Sequence, residues 1–201
     1  MSQIVLASGN PGKIREIQAI LLNNQILPQS QFQVTEPDET GTTFVENAII
    51  KARNAARRCQ MPAIADDSGL VVDALHGAPG VVSARYAGNS ATDQANIDKL
   101  LAAMRGIADI ERSARFICVM VYLRHYEDPT PLIAQGVWEG RILHHAIGGN
   151  GFGYDPVFWL DDQQCSSAQL APELKNAISH RSLALRALTR QIAALREANS
   201  A

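Results

Sequence analysis

Near the start of the chain Ile4-Val5-Leu6-Ala7 run without a polar interruption, the pattern of a buried strand. After Ser8–Lys13 the apolar residues Ile14, Ile17 and Leu21 fall on one helical face, predicting a helix up to Leu22. Leu27 to Val34 is ambiguous, with Phe32 and Val34 pointing to a short strand. Thr43-Phe44-Val45-Glu46 has the form of a capping box. The alanine-rich helix it opens extends to about Cys59, with Phe44, Ala48, Ala52 and Ala55 on one face. Lys51, Arg53, Arg57 and Arg58 read as solvated charges that suit its C-terminal half. Pro62 to Ala65 begins a strand that meets the polar Asp66-Asp67-Ser68-Gly69 before Leu70-Val71-Val72.

Thr92 is placed to cap a helix that turns Ile97, Leu100, Leu101 and Met104 inward. Phe116 to Leu123 predicts a strong strand paired with Leu132 to Val137, and Trp138 to Ile142 continues that sheet past a kink or bulge at Gly140. The glycine-dense Gly148 to Pro156 empties into a strand over Val157 to Leu160. Ser179 stands at the N-cap of a last helix carrying Leu185, Leu188, Ile192 and Leu195, with His180 and Arg181 in its first turn. Interleaved strands and helices that include hairpins predict an α/β fold, a mixed sheet flanked by helices.

Composition narrows this little. The 201 residues are 46% hydrophobic and 19% charged, as in an ordinary soluble globular protein, and the length suits a single domain over 1–201 with a sizeable core. A net charge of −2 gives no reason to expect a nucleic acid or a membrane surface as partner. Cys59, Cys118 and Cys165 are spaced for neither a metal site nor a disulfide framework, which favours a reducing, cytoplasmic location. No signal peptide or membrane span is expected.

The candidate chemistry lies in the polar breaks. Ser8-Gly9-Asn10-Pro11-Gly12-Lys13 sits between a strand and a helix, where backbone N–H groups and the helix dipole suit an anion. A purely steric turn explains the same glycines and asparagine. A P-loop is excluded, because Ala7 and Ile14 stand where that motif needs Gly and Ser or Thr; the spacing of a dinucleotide fingerprint is missing too.

Asp66 and Asp67 put two carboxylates into an apolar strand, which is costly unless they are used or solvated. Neighbouring strand residues face opposite ways, so one acid faces a site and the other anchors backbone or surface. A strand-end turn is the plainer reading, and a magnesium ligand or general base the functional one. Glu39, with Asp38 beside it, can supply a second carboxylate. Cations in a first helical turn oppose the dipole, so His180 and Arg181 either point to solvent or meet an anion, with Lys175 as a further donor or a plain surface lysine. Phe152-Gly153-Tyr154-Asp155 either offers aromatic faces and an acceptor to a nucleotide base or turns tightly into a core strand.

Together, Ser8-Gly9-Asn10 with Lys13, Ala65-Asp66-Asp67-Ser68-Gly69-Leu70, Gly77-Ala78-Pro79-Gly80 with Ser83-Ala84-Arg85-Tyr86, Gly151 to Pro156, and Ser179-His180-Arg181 resemble the inosine triphosphate pyrophosphatase family (Ham1-like, RdgB-type), in order and over nearly the whole chain. Ser8 replaces the threonine of many members and keeps the hydroxyl. The resemblance implies an elongated α/β fold with two lobes and the active cleft between them. It also implies a homodimer that uses Mg²⁺ to hydrolyse ITP, dITP and XTP to monophosphate and pyrophosphate. Ser8, Gly9, Asn10, Pro11, Gly12 and Lys13 would hold the triphosphate. Asp67 would be proton acceptor and metal ligand, with Glu39 (or Asp38) as the second ligand. Ser68, Phe152, Gly153, Tyr154, Asp155, Lys175, His180 and Arg181 would shape the nucleotide pocket. Donors such as His180 or Arg181 would favour the 6-keto group that hypoxanthine and xanthine carry in place of the amine of adenine. The rival readings are a Maf-type pyrophosphatase acting on modified pyrimidines and a nucleotide-binding module without catalysis. The histidine-arginine and aromatic motifs oppose the first, and the acid pair next to a phosphate loop opposes the second.

Overall fold

The computed structural model describes residues 3–20 and 26–198. Leu21 and Leu22, the end of the first predicted helix, lie outside them. The chain divides into two compact units. The first comprises Met1–Asp67, Cys118–Gly136 and His180–Ala201, and the second Ser68–Ile117 and Val137–Ser179.

The strands are β1 (Ile4–Ala7), β2 (Ile26–Pro28), β3 (Ala63–Val72), β4 (Ser113–Leu123), β5 (Leu132–Ile142), β6 (Phe158–Leu160) and β7 (Cys165–Ser166). Among the described residues they form a seven-stranded sheet in the order β2-β1-β3-β4-β5-β6-β7. β1 is parallel to both β2 and β3, whereas β5, β6 and β7 pair antiparallel, so the sheet is mixed as expected. The helices are α1 (Pro11–Ile20), α2 (Phe44–Cys59), α3 (Asp93–Ala103), α4 (Pro172–Ile178) and α5 (His180–Ala198). Among the described residues no helix is long and apolar enough to cross a membrane.

In the first unit every residue of β1 is buried. Strand alternation explains why. Ile4 and Leu6 join Ile17, Ile64, Met120, Leu185, Leu188 and Ile192 in one cluster, while α2 also packs against β1 with Ala48, Ala52, Ala55 and Ala56 buried. The capping box of α2 forms as read from sequence, with the Thr43 hydroxyl accepting from the Glu46 N–H. In the second unit, Leu70, Val72, Ile97, Leu100, Met104, Phe116, Trp138 and Phe158 build a separate core, with the Phe116 and Phe158 rings 4.6 Å apart. The Thr92 hydroxyl caps α3 by accepting from Ala95 N–H at 3.2 Å.

The structure refines three readings. The segment after β2 is a 3-10 turn, Gln29–Phe32, rather than a strand, and Phe32 is exposed. β3 is continuous from Ala63 to Val72, so Asp66-Asp67-Ser68-Gly69 is strand and not a strand-end turn. β5 continues past Gly140 as expected; a Cβ there would lie 2.4 Å from the Trp159 carbonyl oxygen, so this glycine serves the close approach of β6. α4 and β7 carry too short a hydrophobic pattern to be read from sequence.

Gly136 on β5 illustrates the packing limit. A Cβ at this position would lie 2.1 Å from the His180 carbonyl oxygen and 2.6 Å from the Ala184 nitrogen, both backbone atoms of α5. Gly136→Ala is therefore expected to lower the unfolding free energy by about 1–3 kcal/mol or more. Gly149→Ala, whose Cβ would meet nothing within 4 Å, should change it by less than about 0.5 kcal/mol in the same urea titration.

Candidate active site

The polar centre of the first unit is built on β3. Asp66 and Asp67 are both buried, and alternation along the strand gives them different partners. Asp66 Oδ2 accepts from Lys13 Nζ at 2.9 Å and lies 3.6 Å from Arg181 Nε. Arg181 Nη1 also pairs with Glu16. Burial works against the Asp66 anion, but Lys13, Arg181 and Lys51 overcome it and hold its pKa well below the ordinary carboxylate range.

Asp67 turns towards α2. Its Oδ1 accepts from Lys51 Nζ at 2.7 Å and its Oδ2 from Asn47 Nδ2 at 3.4 Å. The same Lys51 ammonium donates to Glu39 Oε1 at 2.9 Å, so two carboxylates from different segments converge on one cation. Asn47 ties this group to the acidic loop by accepting from the Gly41 N–H at 2.8 Å. Burial disfavours the Lys51 charge, but Asp66, Asp67 and Glu39 outweigh it and keep the ammonium protonated. Burial pushes the Asp67 carboxyl up from its ordinary value against the pull of Lys51, which makes it a better proton acceptor than a solvated aspartate.

The Ser8–Lys13 stretch is a loop only as far as Asn10, since Pro11, Gly12 and Lys13 already form the first turn of α1, and it is organised from within. Asn10 Oδ1 accepts from the N–H groups of Gly12 (2.8 Å) and Lys13 (3.1 Å), while the Ser8 hydroxyl accepts from the Asn10 N–H at 3.3 Å. Asn10 thus caps α1, and Lys13 Nζ is the group through which the loop reaches Asp66.

Within the second unit, Asp155 is the hub. It is buried and accepts from the Phe152 N–H at 2.8 Å, the Ser167 hydroxyl at 2.9 Å and Lys175 Nζ at 2.5 Å. Lys175 Nζ also lies over the Phe152 ring, 5.0 Å from its centroid. The Tyr154 ring is buried in the core and its hydroxyl donates to the Ser83 carbonyl, whereas Phe152 is half-buried. Gly153 N–H donates to Asp93 at 2.7 Å, and Ser68 follows Asp67 on β3, half-buried.

The model of the Ham1 family matches residues 4–191. The chain belongs to the Ham1 family. It is 57% identical to a dITP/XTP pyrophosphatase of Vibrio parahaemolyticus, over 96% of this chain and 98% of that protein. It is 53% identical to the dITP/XTP pyrophosphatase of Pseudomonas aeruginosa, over 96% and 98%. Its fold superposes on that of a HAM1 protein from Coxiella burnetii with a TM-score of 0.89 at 51% identity, covering 96% of this chain and 99% of that one. For the Staphylococcus aureus Ham1 protein the TM-score is 0.85 at 40% identity, over 96% and 98%.

Several side chains of this Ham1 chain lie where their local sequence does not place them. Lys51 is not a solvated charge: it is buried and pairs with Asp67 and Glu39. Its spacing carried the signal, because it lies seven residues after Phe44, three after Ala48 and four before Ala55, inside the apolar stripe. Asn47 sits one turn earlier and was missed for the same reason. Lys175 is buried rather than a surface lysine, and His180 and Arg181 are only 5% and 2% exposed, so neither points to solvent. Tyr154 belongs to the core, which leaves Phe152 as the partly open aromatic of its motif.

The buried Asp66 network sets an expectation for pH. Its folded pKa is depressed, so its stabilising contribution is complete above the unfolded value of about 3.9 and is lost as pH falls through the folded value. Asp66→Asn should cost about 3–5 kcal/mol at neutral pH by leaving Lys13 and Arg181 without their shared anion. It should also flatten the acid limb of stability below about pH 4; urea midpoints across a pH series measure both.

Proposed function

We propose that this chain hydrolyses deaminated purine nucleoside triphosphates (dITP, ITP and XTP) to the monophosphate and pyrophosphate with the help of Mg²⁺, working as one pyrophosphatase domain. The observation that carries this is the convergence of Asp67 and Glu39 on Lys51, one strand residue from the Asp66 that holds Lys13 of the loop. Relatives covering the chain almost end to end and named dITP/XTP pyrophosphatase support the same reading.

A divalent metal fits the donors. Two hard carboxylate oxygens already gather around one cation, and magnesium takes few protein carboxylates, completing its shell with water and phosphate oxygens. Asp67 and Glu39 would hold it, Glu39 being favoured over the exposed Asp38 because it shares Lys51 with Asp67. Bound there, the ion supplies positive charge to the phosphoanhydride undergoing hydrolysis. The protein's own part follows from the geometry. Asp67, with its raised pKa, takes the proton of the attacking water. Lys13 and Lys51 neutralise the charge that builds on the phosphate oxygens. The Ser8–Lys13 loop positions the triphosphate. In the first unit His180 and Arg181 contribute polar groups to nucleotide recognition. In the second unit Ser68 contributes a hydroxyl, and Phe152 offers a face for a purine that Gly153 to Asp155 with Lys175 fix. Discrimination among purines is set by hydrogen bonding, since donors left unpaired against adenine penalise it. A homodimer in the cytoplasm completes the reading.

Pyrophosphate release measured on a panel of dITP, XTP, ITP, GTP and ATP should be fastest for the deaminated purines and vanish on chelation of Mg²⁺; turnover of ATP alone would sink the assignment. Asp67→Asn is expected to lose at least about a hundredfold in kcat while still binding nucleotide, and full activity in that variant would remove Asp67 from the mechanism.

A further inference from the structure

Lys13 and Glu16 lie three residues apart on α1 and so share one face of the helix. Each holds an opposite charge: Lys13 donates to Asp66 Oδ2 at 2.9 Å, and Glu16 takes Nη1 of Arg181. Arg181 joins the two pairs, because its Nε lies 3.6 Å from the same Asp66 Oδ2. Cation and anion thus alternate along the row Lys13, Asp66, Arg181, Glu16, with Asp66 and Arg181 buried and Lys13 the less covered cation. The distances along the row are unequal in an informative way. A guanidinium facing a carboxylate ordinarily closes a two-pronged fork on it at about 2.7–2.9 Å. Here the terminal prong goes to Glu16, and the contact with Asp66 stays at 3.6 Å.

We propose that Glu16 is a positioning residue for the reaction: by drawing Arg181 onto itself it leaves Asp66 Oδ2 to Lys13, and so holds the Lys13 ammonium where the triphosphate is bound. An ammonium has three donors. Asp66 engages one and fixes the direction of the others, which is worth more to a phosphoryl transfer than a lysine free to rotate. Without the charge of Glu16, Arg181 closes its fork on Asp66 and competes with Lys13 for the same oxygen. The proposal rests on the role given to Lys13 under the proposed function, and the experiment separates the two.

The test is a double-mutant cycle on kcat/KM for dITP with Mg²⁺, comparing wild type, Glu16→Gln, Lys13→Ala and the double variant, with a thermal unfolding midpoint recorded for each. Glu16→Gln is expected to lower kcat/KM by roughly tenfold to a hundredfold. In the Lys13→Ala background the same change should cost no more than about twofold, because the ammonium it positions is gone. An equal loss in both backgrounds, as a merely structural role would produce, overturns the proposal while leaving Lys13 in place. No loss from Lys13→Ala overturns both readings. Should Glu16→Gln not fold, Glu16→Asp in the same cycle decides: it keeps the charge and is expected to lose less than tenfold, again only when Lys13 is present, and a larger or background-independent loss counts against Glu16.

Discussion

A carboxylate with almost no exposed surface in the middle of a strand is the constraint around which the first unit is arranged. Taking an ion out of water costs several kcal/mol even after relaxation, and only well-placed opposite charges and hydrogen bonds offset that. Asp66 therefore requires cations at fixed places, and it takes them from α1 and α5. That requirement orients Lys13 at the start of α1 and explains the buried Arg181 in the first turn of α5, where the dipole alone would disfavour a cation. Arg181 meets Asp66 and Glu16 there instead of solvent.

Strand alternation then divides the labour between two adjacent acids. Asp66 is spent on holding cations and titrates far below neutrality. Asp67, one residue on, faces Lys51 and Asn47 of α2 with Glu39 nearby, and burial raises its pKa. Two carboxylates of the same type thus acquire opposite character from their surroundings, one a permanent anion and the other suited to accept a proton. The second unit uses the same physics on a glycine-rich turn. Asp155 collects a backbone N–H, a hydroxyl and the Lys175 ammonium, and Lys175 in turn lies over Phe152. The side chain at Asp155 leaves no room for a Cβ at Gly151, which lies at φ 79°. Exposed pairs such as Arg115 with Asp73 and Glu139 contribute much less, because water screens them.

Much of the fold is local and was legible. The buried run of β1, the capped helices α2 and α3 and the inward faces of α3 and α5 follow from periodicity and caps that involve residues close in sequence. The polar motifs were legible as candidates for the same reason: an acid pair in an apolar strand and a glycine-rich turn depart from the pattern around them. Strand and strand-end turn both stayed open at Asp66 and Asp67, because whether two carboxylates end a strand or are carried inside it depends on partners elsewhere in the chain.

The amino-acid sequence by itself determined the class of fold, the order of its main elements, the family and the short list of residues able to do chemistry. Tertiary structure decided which of them meet. Lys51 reads as a surface charge until α2 is laid against β3, and Lys175 reads the same way until Asp155 reaches it. Glu16 and Arg181 are 165 positions apart and have no local reason to be paired. The physical reason is common to all three. A charge is tolerated in the interior only where an opposite one arrives from another element, and no window of neighbouring residues contains that information.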